Sequence, residues 1–393
     1  MSELLFQLAP GGDWISWIVW IIFIMIFFFF YPRLMVSQIM WKLERTARDL
    51  EIMSDKARRF VTKEITRSPD KRLRDSIDRF FEFFMISPVG LDPAGYVPKL
   101  DHMLENQKDR FEYFVDQIAP KMDKEKKANI QMGLAGGITV HEISKIVRHY
   151  VELVRQTKNI QIAMVLQMQL PLIEKIAKAM FNGTKALSKG QPIGDGLGPL
   201  VAADLIGKAR TTEADKDVIM ARVPMDGRTL IVMKAKGPGG RIGFPGKVVR
   251  NVMKKESISR VITIDAAAKL EGEKTGSLAE GVGVAMGGPG VERSYIEDIV
   301  VKQRVPMDSI VVKMSQEEAI MPMRKAIKDA LPEVRKSLKR SLERTKRGDK
   351  VVVVGVGNTS GVGDSGDTVR KVSEWVDKHE RKLLAQKKRK KKD

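Results

Sequence analysis

The chain has 393 residues, is 43% hydrophobic and carries a formal net charge of +20. That is enough for a sizeable core, as two domains or one domain with a helical appendage. It contains no cysteine, which excludes disulfides and all Cys-based metal or thiol chemistry.

Residues 14–31, WISWIVWIIFIMIFFFFY, carry no charge. At about 1.5 Å rise each they nearly cross a hydrocarbon core of roughly 30 Å. Trp14, Trp17 and Tyr31 lie near the ends, where interfacial aromatics belong. Neither the basic start nor the small-residue cleavage site of a signal peptide is present, so the stretch reads as a retained anchor in the bilayer. Residues 1–13 hold no Lys or Arg, whereas Arg33, Lys42, Arg45 and Arg48 follow the stretch. The positive-inside rule then predicts a single-pass cell-membrane protein with its N-terminus outside and its bulk cytoplasmic. Residues 1–33 form the first region.

Residues 34–189 read as helical. Leu43, Ala47, Leu50, Met53, Ala57 and Phe60 keep a 3–4 spacing, and Ile77, Phe80, Phe81 and Phe84 mark a second helix. Pro88, Gly90, Pro93, Gly95 and Pro98 predict a loop. Thr139 and Glu142 have the spacing of a capping box. Residues 160–181 are apolar but interrupted by Gln161, Gln167, Gln169 and Glu174. They read as a buried helix bent near Pro171, with a second membrane span as the other reading. His141 and His149 lie two turns apart without a third ligand, which favours surface residues over a metal site.

The texture changes at Gly190. Glycines cluster, and short β-branched runs alternate with helical stretches, so residues 190–378 are expected to form an α/β/α domain with a mostly parallel sheet. Leu200–Ile206 reads as helix. Val218–Val223 and Thr229–Met233 flank Asp226-Gly227, a hairpin signal. The strand Val261–Asp265 follows, then a glycine-rich loop, Gly281–Gly290. Ser309–Val312 is another strand. Ser315 and Glu318 predict a boxed cap on one long basic helix to about Arg347. Val351–Val354 is a fully apolar strand. A last helix, Val369–Leu384, leads into a basic tail, residues 379–393. Residues 380–393 hold eight Lys or Arg against Glu380 and Asp393. This is a solvated run, with anionic lipid or nucleic acid as the minority reading. No aromatics interleave with the basic residues, which argues against nucleic acid as a partner.

Chemistry is expected where glycine turns meet acids. Asp265 ends a buried-looking strand, at the carboxyl edge where open α/β sheets bind ligands. Asp195 lies in GDGLGP at a helix start. Two facing carboxylates can share a proton and activate water. The bland readings are a helix cap for Asp195 and a turn for Asp265. Gly237, Gly239 and Gly240 in one loop, and Gly287 and Gly288 in another, offer backbone N–H groups to a substrate or anion. The loop GVGNTSG is not a nucleotide P-loop, because no Gly-Lys-Ser/Thr follows. With no histidine in residues 190–378, a Ser–His–Asp site is disfavoured.

The whole chain resembles an archaeal family of membrane-anchored proteins catalogued only as a domain of unknown function. Residues 190–370 also resemble the fold of spore germination protease and hydrogenase maturation peptidase. GDGLGPLVAADL is similar to the family's acidic turn and helix, and KAKGPGGRIGFPG to its middle loop. VITIDAAAK is similar to its Asp strand, GVGVAMGGPGVER to its later glycine loop, and VVVVGVGN to its first strand. Here that strand comes last, the order of a circular permutation. The resemblance implies Asp195 and Asp265 as catalytic acids with Asn358 beside them, and Asp364 as a rival for the first. It implies a metal-free site, since no histidine matches the maturation peptidases' third ligand, and no cofactor. The expected function is a membrane-anchored peptidase-like hydrolase with a peptide or protein substrate. The alternative is a non-catalytic scaffold or ligand-binding protein that forms homo-oligomers.

Overall fold

A computed structural model describes residues 14–85, 87 and 93–389. Among the described residues five helices come first: α1 Trp14–Ile65, α2 Lys71–Phe80, α3 Pro93–Ile118, α4 Lys124–Thr157 and α5 Ile160–Ser188. The described chain divides into two compact units. One takes the residues up to Ile52 together with Glu142–Glu174, and the other takes Met53–His141 and the chain from Lys175 onward.

In the smaller unit Leu43, Ala47, Leu50, Val147, Val151 and Ala163 are buried. Arg148 bridges Glu44 (2.9 Å) and Glu51 (2.6 Å), and Thr46 donates to Glu174 at 3.0 Å.

The membrane expectation is corrected here. Residues 17–28 are the part of the apolar stretch whose side chains are described. Among the described residues no helix is long and apolar enough to cross a membrane. That finding overturns the single-pass anchor, its orientation and the cell-membrane localisation as read from the sequence. Residues 1–13, and Pro88 and Gly90 of the expected loop, lie outside the described residues, while Pro98 falls inside α3.

The larger unit is built on a seven-stranded sheet. Its strands are β1 Thr212–Asp215, β2 Val218–Met225, β3 Arg228–Ala235, β4 Arg260–Ala268, β5 Leu278–Val282, β6 Met307–Met314 and β7 Lys350–Gly355. Their spatial order is β1-β2-β3-β7-β4-β6-β5. The three central pairings, β3–β7, β7–β4 and β4–β6, are parallel. The outer pairings are antiparallel. The sheet is therefore mixed, not mostly parallel as the βα texture predicts. The physical reason is local: hairpin strands β1–β3 and the returning strand β5 extend the parallel centre at both edges. Asp226 and Gly227 sit at the hairpin turn with φ of 51° and 77°, the left-handed pair such a turn requires.

The four valines of β7 alternate between two cores. Val351 and Val353 join Leu200, Leu230 and Leu338 on one face. Val352 and Val354 join Ile231, Val249 and Ile296 on the other. An unbroken apolar strand is what a sheet covered on both sides demands. The first face is covered by α6 Leu197–Ile206 and later helices, the second by α7 Pro245–Lys255 and α8 Val291–Gln303.

Two local expectations also change. The helix after Ser315 is three pieces: α9 Gln316–Ile320, α10 Lys325–Lys328 and α11 Leu331–Glu343. The Ser315–Glu318 capping box forms, but Pro322 and Pro332 deny the chain the continuous N–H ladder a long helix needs. Thr139 caps nothing. It lies inside α4 and donates to the Ala135 carbonyl at 3.1 Å, while Asp123 accepts the first-turn N–H of Lys126. The last helix, α12 Asp367–Arg389, runs through most of the basic tail.

Candidate active site

β4 delivers Asp265 to the point where its neighbour β7 stops. Ile264 pairs with Gly355, the last residue of β7, and Asp265 pairs only with Val311 of β6. The crossovers preceding β4 and β7, through α7 and α11, lie on opposite faces of the sheet. Their carboxyl ends thus flank a topological switch point, the usual ligand crevice of such sheets. Asp265 is 6% exposed. Its Oδ1 accepts the Ala266 N–H at 2.7 Å and its Oδ2 the Gly287 N–H at 3.2 Å.

Asp195 arrives from the other direction, on a single 3-10 turn, Gly194–Gly196, ahead of α6. Two glycines allow the approach. A Cβ at Gly198 would lie 2.1 Å from the Val356 carbonyl oxygen and 2.5 Å from that of Ile264. Gly357 has φ of +129°, and a Cβ there would lie 2.0 Å from the Asp195 carbonyl oxygen. Backbone therefore packs on backbone, and the helix start is drawn down onto the sheet edge. The capping reading of Asp195 does not hold, because α6 is preceded by Gly196 and has no side-chain cap. The Asp195 Oδ2 instead accepts the Asn358 N–H at 2.8 Å, across 163 residues of sequence.

The two carboxylates face one environment. Burial raises Asp265, and the nearby Asp195 charge raises it further, to about 7, against the two N–H donors that favour its charge. Burial also raises Asp195, opposed by the Asn358 N–H. Both shifts act in the same direction, toward the protonated form.

Both acids line a cavity of about 890 Å³. Its floor is the sheet edge and its opposite wall comes from α3 and the first half of α4, through residues such as Phe111, Val115, Met132 and Ala135. A third acid, Glu292 in the first turn of α8, also lines it. Glu292 Oε2 accepts the Gly246 N–H at 2.6 Å at the start of α7, and its Oε1 is buried without a hydrogen-bond partner. Burial pushes Glu292 up to about 7. Among the described residues no group of three or more His, Cys, Asp or Glu side chains is placed to hold a metal ion.

The other expected site residues divide. Gly240, Gly287 and Gly288 line the cavity, and Gly237, Gly239 and Asn358 do not. The N–H groups of Gly237, Gly239 and Gly240 donate to Asp364 (2.8 Å), Glu125 (2.6 Å) and Asn129 (2.8 Å). These amides are engaged by the protein itself. The Asn358 side chain donates to the Met132 sulfur at 3.0 Å and accepts the Ser360 N–H at 2.9 Å, so it braces the turn behind Asp195. Asp364, the rival acid, neutralises the fully buried Lys234 at 2.7 Å and is outside the cavity. His141 bridges Ser54 (3.0 Å) and Glu82 (2.8 Å), away from the cavity walls.

Sequence reasoning missed Glu292, Lys234 and the helical wall. An acid in a first helical turn was a readable signal for Glu292. The wall had none, because its residues look like ordinary core positions of an amphipathic helix.

A family model described as "Protein of unknown function (DUF1512) N-terminal domain" matches residues 17–190. A second, "Domain of unknown function (DUF1512) C-terminal", matches residues 193–363. No curated protein and no solved structure matches the chain, so the peptidase likeness rests on the motifs quoted above.

Proposed function

The chain belongs to the DUF1512 family, and from its carboxylate pair we propose that it is a peptidase-like hydrolase using Asp195 and Asp265 to activate water. The observation that carries this reading is two acids lining one cavity, neither in an ion pair among the described residues, one of them raised to about 7 by burial and by its partner's charge. A shared proton gives such a pair an acid and a base at neutral pH. The ionised member takes a proton from water as the water oxygen attacks the amide carbonyl carbon. The protonated member donates to the carbonyl oxygen. The proton gained from water then passes to the leaving nitrogen as the C–N bond breaks, and a hydroxyl of the gem-diol returns its proton to the carboxylate that first donated one, restoring the pair. At Gly287 and Gly288 a Cβ would meet nothing within 4 Å, which leaves room for a peptide backbone beside the acids. The motif order fits a circular permutation of the germination protease and maturation peptidase fold. β7 lies next to β4, and the loop after it reaches Asp195.

One observation favours the second reading, a non-catalytic binding protein. Three of the four carboxylate oxygens accept backbone N–H groups, as acids that only pin loops would. The full chain incubated with a mixed-sequence peptide library separates the two. Cleavage that falls by about 100-fold or more in both Asp195→Asn and Asp265→Asn is expected. Cleavage that survives either substitution, or no cleavage of any peptide between pH 5 and pH 8, removes the hydrolase.

A further inference from the structure

Resting on the hydrolase reading, we propose that the cavity selects an uncharged peptide segment with a bulky apolar side chain and rejects an anionic one. Two independent features of the lining carry this.

The first is charge. Five cations line the cavity: Lys108, Lys124, Lys127, Lys216 and Arg241. Four are already neutralised by acids of the protein. Arg241 is held by Glu125 (2.6 Å) and Asp217 (3.1 Å). Lys108 pairs with the same Asp217 at 2.6 Å. Lys127 pairs with Asp116 at 2.7 Å, and Lys216 with Glu112 at 3.0 Å. The fifth, Lys124, is exposed. The acids Asp195, Asp265 and Glu292 have no ion pair within 4 Å among the described residues. A carboxylate or phosphate beside the acids would lose water, meet like charge and find only the exposed Lys124 without an ion pair among the described residues. Such a site discriminates by repulsion as much as by fit.

The second is the apolar wall. Phe111, Val115, Met132 and Ala135 from the helices face Phe244 and Met286 from the α/β loops. Two aromatic rings and two flexible thioethers make a pocket that accommodates large apolar side chains of varied shape. The volume of about 890 Å³ holds a short peptide segment.

The test measures binding, separately from cleavage. Full-length Asp265→Asn protein is titrated calorimetrically at pH 7 with acetylated, amidated heptapeptides that differ only in a central Phe, Leu, Ala or Glu. Phe and Leu peptides are expected to bind at least about tenfold tighter than Ala, the worth of one buried apolar side chain, and Glu weakest. Ala135→Trp, which fills the wall, should abolish the preference for Phe. Ile242→Lys alters a cavity residue that is 57% exposed, so the fold is left alone. It adds a second unpaired cation and should tighten the Glu peptide about tenfold without tightening the Phe peptide. Equal binding of Phe and Glu peptides, no binding of any, or no gain for Glu in Ile242→Lys overturns the proposal. Selective binding without cleavage by the wild-type chain would retain this specificity and sink the hydrolase. Cleavage of all four peptides at equal rates would do the reverse.

Discussion

Asp364 and Asp265 invite comparison because both close loops at the carboxyl edge of one sheet, yet their surroundings differ. Asp364 has a cation: the fully buried Lys234 donates to it at 2.7 Å, and the Gly237 N–H shares the same oxygen. Asp265 has two backbone N–H donors and another acid. Burial lowers Lys234, and the Asp364 charge opposes that shift, whereas burial and Asp195 both drive Asp265 up. A buried pair is a fastener, and a buried acid left without a cation is a group that can gain or lose a proton in use.

The strongest break of this comparison is Asp364→Asn. The amide keeps an acceptor for Gly237 but leaves Lys234 buried without a counter-charge. Removing one member of such a pair costs about 3–5 kcal/mol. Denaturant unfolding of the full chain should show that loss, and Lys234→Met in the same chain should recover most of it. Equal stability of Asp364→Asn and wild type would mean that Lys234 is neutral or solvated and the pair fastens nothing.

Asp265 should behave in the opposite way. Its pKa rises from 3.8 to about 7 on folding, so between those values the folded chain binds more protons than the unfolded one. Stability then falls as pH rises from about 4 to about 7, by on the order of 2–4 kcal/mol. Asp265→Asn removes that slope. Measured at pH 4 and pH 8, the variant's stability relative to wild type should improve at the higher pH. An unchanged slope would show that Asp265 ionises in the folded chain as readily as in water.

The sequence made much of this readable, and the reasons are particular. Four successive valines have no polar face to offer water, so Val351–Val354 could only be an interior strand. Asp226-Gly227 offers the two left-handed positions of a tight hairpin turn. Asp265 was visible because a carboxylate directly after Val261, Ile262 and Ile264 marks the carboxyl end of an apolar strand, and Asp195 because glycines surround it. What stayed hidden depends on tertiary neighbours. Lys234 ends a strand and reads as solvent-facing until Asp364 is found 130 residues away. Prolines at 322 and 332 were weaker signals than the capping box at Ser315, and the helix broke there. The edge strands β1 and β5 are short and half-polar, so the mixed character of the sheet was not legible. The apolar stretch at residues 14–31 was read by composition alone, and among the described residues no helix is long and apolar enough to cross a membrane.

Glu292 sharpens the comparison from between the two extremes, and its effect should be the smallest. One oxygen is held by the Gly246 N–H at 2.6 Å and, more weakly, the Lys247 N–H at 3.3 Å, at the N-terminus of α7. The other is buried and unpartnered. A helix start favours the ionised acid, but burial outweighs it and raises Glu292 from 4.5 to about 7. Glutamine keeps an acceptor for the two N–H groups and cannot ionise. In Glu292→Gln the cap should therefore survive, and the stability that wild type loses between about pH 4.5 and pH 7 should be regained. The sign is that of Asp265, because a raised acid favours the folded chain only while it is protonated. The size should be smaller, about 1–3 kcal/mol, since the N–H donors and the nearby Lys247 partly compensate the charge. Unfolding midpoints at pH 5 and pH 8 give the measurement. A variant destabilised equally at both would show that the Glu292 carboxylate is ionised throughout and acts as a helix cap alone.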